Sequence, residues 1–230
     1  MKFEQSLLKG KLIKRYKRFF VDVCVNKKTI TSHCPNSGSM LGLLDQGNDV
    51  WLSKSDNPKR KLKYTLELIK VKNSLVGVNT HRANKIVHEA LINNKIKDLS
   101  NYKEIKAETT FDKGTRFDFF LQKDKKKVFL EVKNVTLSLN DNIAEFPDSV
   151  TERGRKHLLK LCEAKTNGYE SYILFLIQRE NIKKFKIAGQ IDPKYFSSFL
   201  QAREKGVNLL IYDCSLDLQE IKVNKEIKII

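Results

Sequence analysis

An abrupt change of pattern at Asn79-Thr80 divides this 230-residue chain into two parts that call for different architectures. Before it, apolar residues alternate with polar ones in short runs at 13–25, 29–33, 50–53, 64–71 and 75–78. These runs are separated by turn-forming stretches such as Pro35-Asn36-Ser37-Gly38 and Ser55-Asp56-Asn57-Pro58. Period-two runs between polar turns predict about five strands and no long helix. A small β-barrel is the compact solution, and the oligonucleotide-binding (OB) barrel is one such fold. Beyond the change, Thr80 is placed to cap a helix through Ala83, Ile86, Val87, Ala90 and Leu91. Three strands are expected near 108–111, 116–121 and 127–135, then a helix over 151–166 closed by Gly168. A wholly apolar strand at 172–177, a helix over 193–205 and a strand at 208–212 complete the pattern. Helices alternating with apolar strands predict an α/β domain with a sheet covered on both faces. The fold class expected is therefore α/β, α+β over the whole chain, with a barrel over 1–79 and an α/β domain over 80–230.

Charge narrows the function. Lys and Arg number 44 against 27 Asp and Glu, a formal net charge of +17. Residues 1–80 alone carry a net +10, from 16 basic and 6 acidic side chains. A Lys-rich composition inherited from an AT-rich genome accounts for part of the total, but less well for the clustering. A basic surface attracts polyanions, and nucleic acid is the densest one in a cell. Read as a strand, Arg15, Lys17 and Phe19 share one face and Lys14, Tyr16 and Arg18 the other, so cations sit beside an aromatic ring that can stack a base. Lys59, Arg60, Lys61 and Lys63 form a second basic cluster after a turn, and Arg153, Arg155, Lys156 and His157 open a helix. For the first cluster the alternative is that Tyr16 and Phe19 are core and only the cations are wet, and the other two read equally as solvated surface. No helix-turn-helix presents side chains to a major groove. Cys24, Cys34, Cys162 and Cys214 lack zinc-ligand spacing and read as reduced thiols. No segment approaches the roughly 18 apolar residues of a membrane span, and no signal peptide opens the chain. A cytoplasmic location is expected.

The strongest chemical pattern is Asp118, in Arg116-Phe117-Asp118-Phe119, followed thirteen residues later by Glu131-Val132-Lys133. The polar run 123–127 makes these neighbouring strands of a hairpin. Strand alternation then puts Glu131 and Lys133 on one face and Val132 in the core. Two carboxylates beside an amine suit phosphodiester hydrolysis: hard oxygens hold Mg2+ (or Mn2+) against the phosphate, and the amine positions water. The spacing resembles the PD-(D/E)xK nuclease superfamily, whose members often add a Glu from the preceding helix, the place taken here by Glu89. Solvated strand charges are the alternative for an isolated match.

Several further strings occur in order along the chain: Arg15-Tyr16-Lys17-Arg18-Phe19, His33-Cys34-Pro35-Asn36-Ser37-Gly38, Ser55-Asp56-Asn57, Val78-Asn79-Thr80, and 146–154, which reads Phe-Pro-Asp-Ser-Val-Thr-Glu-Arg-Gly. With the Asp118 and Glu131–Lys133 pair, they resemble the sugar fermentation stimulation protein A (SfsA) family over essentially the whole length. Ser37 and Asn134 depart from the family's common Thr and Ser, beside the presumed ligands. The resemblance implies an OB-like barrel, a nuclease-like second domain and DNA binding with little sequence preference. It also implies a regulatory role in maltose and other sugar metabolism. A non-catalytic DNA-binding regulator and an RNA-binding or RNA-processing factor are the alternatives, and a homodimer is a fold-level analogy.

Overall fold

The computed structural model describes residues 1–140 and 142–230. Strands β1 (Leu8–Tyr16), β2 (Phe20–Val25), β3 (Lys28–His33), β4 (Asp49–Lys54), β5 (Tyr64–Val71) and β6 (Ser74–Gly77) form one sheet in the order β3-β2-β1-β4-β5-β6. A parallel bridge from His33 on β3 to Thr65 on β5 closes the first five into a barrel. Leu12, Val21, Val23, Leu52, Leu66 and Ile69 fill it, each 1% exposed or less. Closure brings β2 hard against β1 at Gly10, where an added Cβ would stand 2.4 Å from a Val23 methyl. The expected continuous run 13–25 is broken: Lys17 and Arg18 take φ of 46° and 61° and turn the chain. The alternation assigned to Arg15, Lys17 and Phe19 therefore ends at Tyr16, because a tight hairpin needs the left-handed conformation at its corner.

In the second unit, α1 (Ala83–Ile92) is followed by β7 (Glu104–Asp112), β8 (Thr115–Lys123), β9 (Lys126–Val135), β10 (Leu137–Asn140) and β11 (Ile143–Phe146). Then come α2 (Glu152–Thr166), β12 (Glu170–Ile177), β13 (Lys184–Ile187), α3 (Pro193–Glu204), β14 (Asn208–Leu216), β15 (Ile221–Glu226) and β16 (Lys228–Ile229). A six-stranded sheet runs β15-β14-β12-β9-β8-β7, with β9, β12 and β14 parallel and the flanking strands antiparallel. Parallel neighbours need long crossovers, which α2 and α3 supply. α1 packs on one face through Ile86, Val87, Ala90 and Leu91. α2 and α3 cover the other through Leu158, Leu161, Tyr195 and Phe199. The small sheet β10-β11-β13-β16 has no counterpart in the sequence pattern. Its strands are four residues or fewer, too short to show a period.

The two units share one core. Met1, Trp51 and Leu68 pack into the cluster that contains α1 and the sheet face beneath it. Lys2 pairs with Glu220, and Val76 of β6 pairs with Arg179 just beyond β12. At the joint, Thr80 does not act as the expected cap: its hydroxyl donates to the Pro35 carbonyl at 2.6 Å, and Asn79 instead accepts from the His81 N–H at 3.1 Å. A 3-10 turn, Thr80–Arg82, precedes α1. Its Arg82 grips Glu67 of β5 through two hydrogen bonds, Nη2 to Oε1 at 2.8 Å and Nε to Oε2 at 3.2 Å. Ser53 and Asn79 donate to the same carboxylate at 2.7 and 2.9 Å. Glu67 is 1% exposed, so Arg82 keeps a buried charge compensated. Breaking one partner of such a pair costs about 3–5 kcal/mol, whereas replacing both costs much less. Urea unfolding is expected to show Arg82→Met destabilised by roughly that amount and Glu67→Leu/Arg82→Met less so. A single variant as stable as the parent contradicts the clamp.

Candidate active site

Asp118 lies on β8 and Glu131 and Lys133 on β9. The β8–β9 ladder stops at Phe119 opposite Leu130. Past that point the Asp118 carboxylate replaces the missing strand partner: Oδ2 accepts from the Val132 N–H at 2.7 Å, and Oδ1 accepts from Asn84 Nδ2 on α1 at 2.7 Å. Val132 turns into the α1 core. Glu131, 3% exposed, turns the other way toward α2. Its Oε1 accepts from Lys133 Nζ at 2.6 Å and meets His157 Nδ1 of α2. Arg153 Nε faces the far nitrogen of that ring, Nε2, at 3.4 Å. Those two partners fit the tautomer in which Nδ1–H donates to Glu131 and Nε2 accepts.

The electrostatics follow from burial. Withdrawal from water raises the Asp118 carboxyl to about 6, and the nearby Glu131 charge adds to the rise against the hydrogen bonds from Val132 and Asn84. For Glu131 burial again acts upward, but Lys133 and His157 outweigh it and hold the group below the ordinary carboxylate range. One acid thus keeps its charge while its neighbour gives it up easily. Glu131 Oε2 is buried and accepts no hydrogen bond.

The site opens on a groove of about 760 Å³ between the β7–β8 hairpin and α2, lined by Asp118, His157, Arg116, Arg153, Lys156 and Lys160 among others. Lys160 is taken up by Asp112 at 2.6 Å and Glu163 at 2.7 Å. Glu108, on β7 between the partners of Phe119 and Phe117, takes φ 53°. Its carboxylate holds Arg116 Nε at 2.7 Å and touches Asn84 at 3.5 Å. Glu108 is a site residue that the sequence pattern does not single out, and His157, named there only within a basic cluster, meets Glu131 rather than open groove. The only signals are His157's place in the basic opening of α2 and Glu108's place on the strand before Asp118.

Other expected residues fall elsewhere. Glu89 is not brought to Asp118; it is 47% exposed in its side chain and pairs with the Met1 amino group at 2.8 Å. The face of α1 that meets β8 carries Asn84 and His88, the latter stacked on Phe119. Glu89, five residues past Asn84, is rotated about 140° from that face. Arg15 is a strut rather than a free cation: it donates to the carbonyls of Asn36, Gly38, Ser39 and Arg18. Tyr16 stacks on Phe20 and hydrogen-bonds Asp22. Lys17, Arg18, Lys59 and Lys61 are exposed, while Arg60 donates to Thr65 at 3.0 Å. Arg155 is half-buried on α2, beside the exposed Arg153 and Lys156. Among the described residues no three His, Cys, Asp or Glu side chains gather as a ready metal site. Asp118 and the unpartnered Oε2 of Glu131 nevertheless fit a Mg2+ or Mn2+ held by two carboxylates and completed by water and phosphate oxygens, the usual arrangement for Mg2+.

A closed barrel joined to a sheet that carries this acid-acid-lysine arrangement defines an OB barrel fused to a nuclease-like domain. The chain belongs to the sugar fermentation stimulation protein family: residues 13–78 match the SfsA N-terminal OB domain and residues 81–220 the sugar fermentation stimulation protein RE domain. It is 59% identical over 230 residues to a sugar fermentation stimulation protein homolog of Pelagibacter ubique, covering 100% of this chain and 99% of that protein. A homolog of the same description from Pseudoalteromonas atlantica is 44% identical over 234 residues, with complete coverage of both. Pyrococcus furiosus SfsA, solved in complex with Ca2+, matches with a TM-score of 0.91 at 22% identity, covering 100% of this chain and 98% of that one. Among the described residues, no helix is long and apolar enough to cross a membrane.

The raised Asp118 carboxyl has a signed consequence. In the folded chain it ionises at about 6, above the ordinary value of 3.8, so between those limits the folded chain binds more protons than the unfolded one. Stability from this group is present below about pH 4 and lost as pH rises through 6. Asp118→Asn, with the Asn84 amide turned over to match, is expected to abolish that loss. The stability difference between variant and parent then grows in the variant's favour from pH 4 to 7 in urea titrations. A difference independent of pH contradicts the assignment.

Proposed function

We propose that this protein binds nucleic acid with little sequence preference and hydrolyses phosphodiester bonds at Asp118, Glu131 and Lys133. The observation that carries the reading is the buried Glu131 carboxylate, held charged between Lys133 and His157 beside a carboxyl that ionises near pH 6, at the side of a groove whose basic side chains Arg153 and Lys156 stand among acids paired with Arg116 and Lys160. A purely binding role gives no reason to gather carboxylates where a polyanion lies. Mg2+ or Mn2+, when bound by Asp118 and Glu131, supplies a Lewis acid that neutralises charge on the phosphate. Lys133 positions the attacking water and lends it a cationic neighbour. His157 fixes Glu131, and through Arg153 links it to the groove wall. Arg116, Arg153 and Lys156 hold the phosphates on either side. Pyrococcus furiosus SfsA was solved in complex with Ca2+, a hard divalent cation of the class this reading calls for.

On the barrel side, the exposed Lys17, Arg18, Lys59 and Lys61 extend the phosphate-binding surface. DNA is the partner proposed, with RNA an alternative, and the cytoplasm the compartment. A second reading, a non-catalytic DNA-binding regulator of sugar metabolism, is favoured by one observation: Glu89 pairs with the Met1 amino group away from the site, so the expected helix acid does not join Asp118 and Glu131. The family's name is what connects either reading to sugar fermentation.

Purified protein with Mg2+ or Mn2+ is expected to cleave plasmid, single-stranded DNA or structured RNA, and Asp118→Ala and Lys133→Ala to lose at least about a hundredfold of that rate, in line with the removal of a positioned catalytic group. No cleavage by the parent, with gel-shift binding intact, selects the regulator. For binding, Lys17→Ala/Arg18→Ala is expected to lower the slope of log affinity against log salt by about one unit for each phosphate no longer neutralised. An unchanged slope removes the barrel turn from the interface.

A further inference from the structure

Two sequence strings without a role in the groove meet each other in the fold. The loop after β3, containing Asn36-Ser37-Gly38, docks on the segment before α2, containing Pro147-Asp148-Ser149-Val150. Ser39 Oγ donates to the Asp148 carbonyl at 2.7 Å, and the Met40 N–H donates to Asp148 Oδ2 at 3.2 Å. Gly38 lies so close that an added Cβ would stand 2.3 Å from Asp148 Oδ2. The Arg15 strut fixes the loop from the barrel side. Together they enclose a pocket of about 340 Å³ at the seam of the two units, also lined by Asn134 and Val135, the residues that follow Lys133 on β9.

Glu145 of β11 lines this pocket and is 1% exposed. Its Oε2 is held by Gln190 Nε2 at 2.9 Å and faces Lys186 Nζ at 3.3 Å. Its Oε1 is buried without a hydrogen-bond partner. A buried acceptor left unpaired is costly and calls for a donor from outside the chain. The rest of the lining gives a flat ring an apolar wall and a polar edge: Pro147 and the half-buried Phe146, whose ring also packs on Phe175 and Tyr195, and Asn134, whose Oδ1 accepts from Gln178 Nε2. At the rim stand Arg18, an exposed cation, and Val150, an apolar side chain 71% exposed.

We propose that this pocket takes a single unstacked nucleobase, guanine foremost, with Glu145 Oε1 accepting from its N–H edge, Arg18 on the adjoining phosphate and Val150 filling the gap the base leaves in its stack. Enzymes and binders that remove a base from its stack read its edge by hydrogen bonds and often insert an apolar side chain in its place. Guanine presents two N–H donors side by side, close enough for the free Oε1 to accept both while Oε2 stays with Gln190 and Lys186. Adenine and cytosine present one amino group, and uracil or thymine a single N–H between two carbonyls that the carboxylate repels. The inference deepens the nucleic-acid reading and rests on it for its biological sense, but the pocket is testable with a mononucleotide alone.

Calorimetric titration of the full chain with GMP, AMP, CMP and UMP, run beside gel-shift binding of a mixed-sequence single-stranded oligonucleotide, tests it. The expected result is GMP binding at least tenfold tighter than UMP, weakened at least tenfold in Glu145→Gln and abolished in Ser37→Trp, which fills the pocket from an exposed position and leaves the core untouched. Equal affinity for the four nucleotides, no binding of any, or full GMP affinity in both variants overturns the proposal. Oligonucleotide binding with no GMP binding removes the pocket and leaves the nucleic-acid reading standing. GMP binding without oligonucleotide binding supports the pocket and removes that reading.

Discussion

A carboxylate placed inside the layer between sheet and helix sets the terms for the rest of the site. Glu131 is almost wholly buried, and an uncompensated charge there is worth several kcal/mol of instability. Compensation comes from two directions: Lys133, two residues along the same strand, and His157, in the second turn of α2. The α2 contact requires the helix to start where it does, and the Thr151 side chain sets that start by accepting from the Gly154 N–H at 3.1 Å. Gly154 in turn permits the close approach of Tyr195 on α3, whose ring lies 3.1 Å from where a Cβ would be. The position of one acid thus propagates through the cap of α2 to the packing of α3.

The same logic operates at the joint between the units. Glu67 is buried in the barrel wall and is answered by Arg82 from the turn before α1. Because α1 also carries Asn84, which holds Asp118, the clamp on Glu67 and the geometry of the site share one short stretch of chain. The apolar cluster common to Trp51, Leu68 and α1 reinforces that link. Barrel and sheet are accordingly packed as one body rather than as tethered modules.

The sequence discloses those parts of this arrangement that depend on local period. Strand alternation alone places Glu131 and Lys133 together and Val132 in the core, and the runs 29–33, 50–53, 64–71 and 75–78 and the apolar strand β12 stand out as clearly, whereas the hairpin inside 13–25 does not. What it conceals depends on partners distant along the chain. Glu89 and Asn84 are both polar residues of α1, and only the packing of that helix on β8 decides which of them meets Asp118. Arg15 looks like a free cation until the 36–39 loop folds over it and consumes its donors. His157 reads as one more basic residue in a charged helix start, because its partner lies on a strand 26 residues earlier. The strands of the small sheet carry too few residues to leave a pattern.

In the reading proposed for this protein, the acids of β8 and β9, and not the helix acid, form the cation site that serves the reaction. Calorimetry with Mn2+ on the parent, Asp118→Ala and Glu89→Ala separates the two possibilities. One Mn2+ site is expected in the parent, lost in Asp118→Ala and kept in Glu89→Ala within about twofold, since surface substitutions far from a site change its energetics by only about 0.5 kcal/mol. Binding that survives Asp118→Ala, or that disappears in Glu89→Ala, would contradict it.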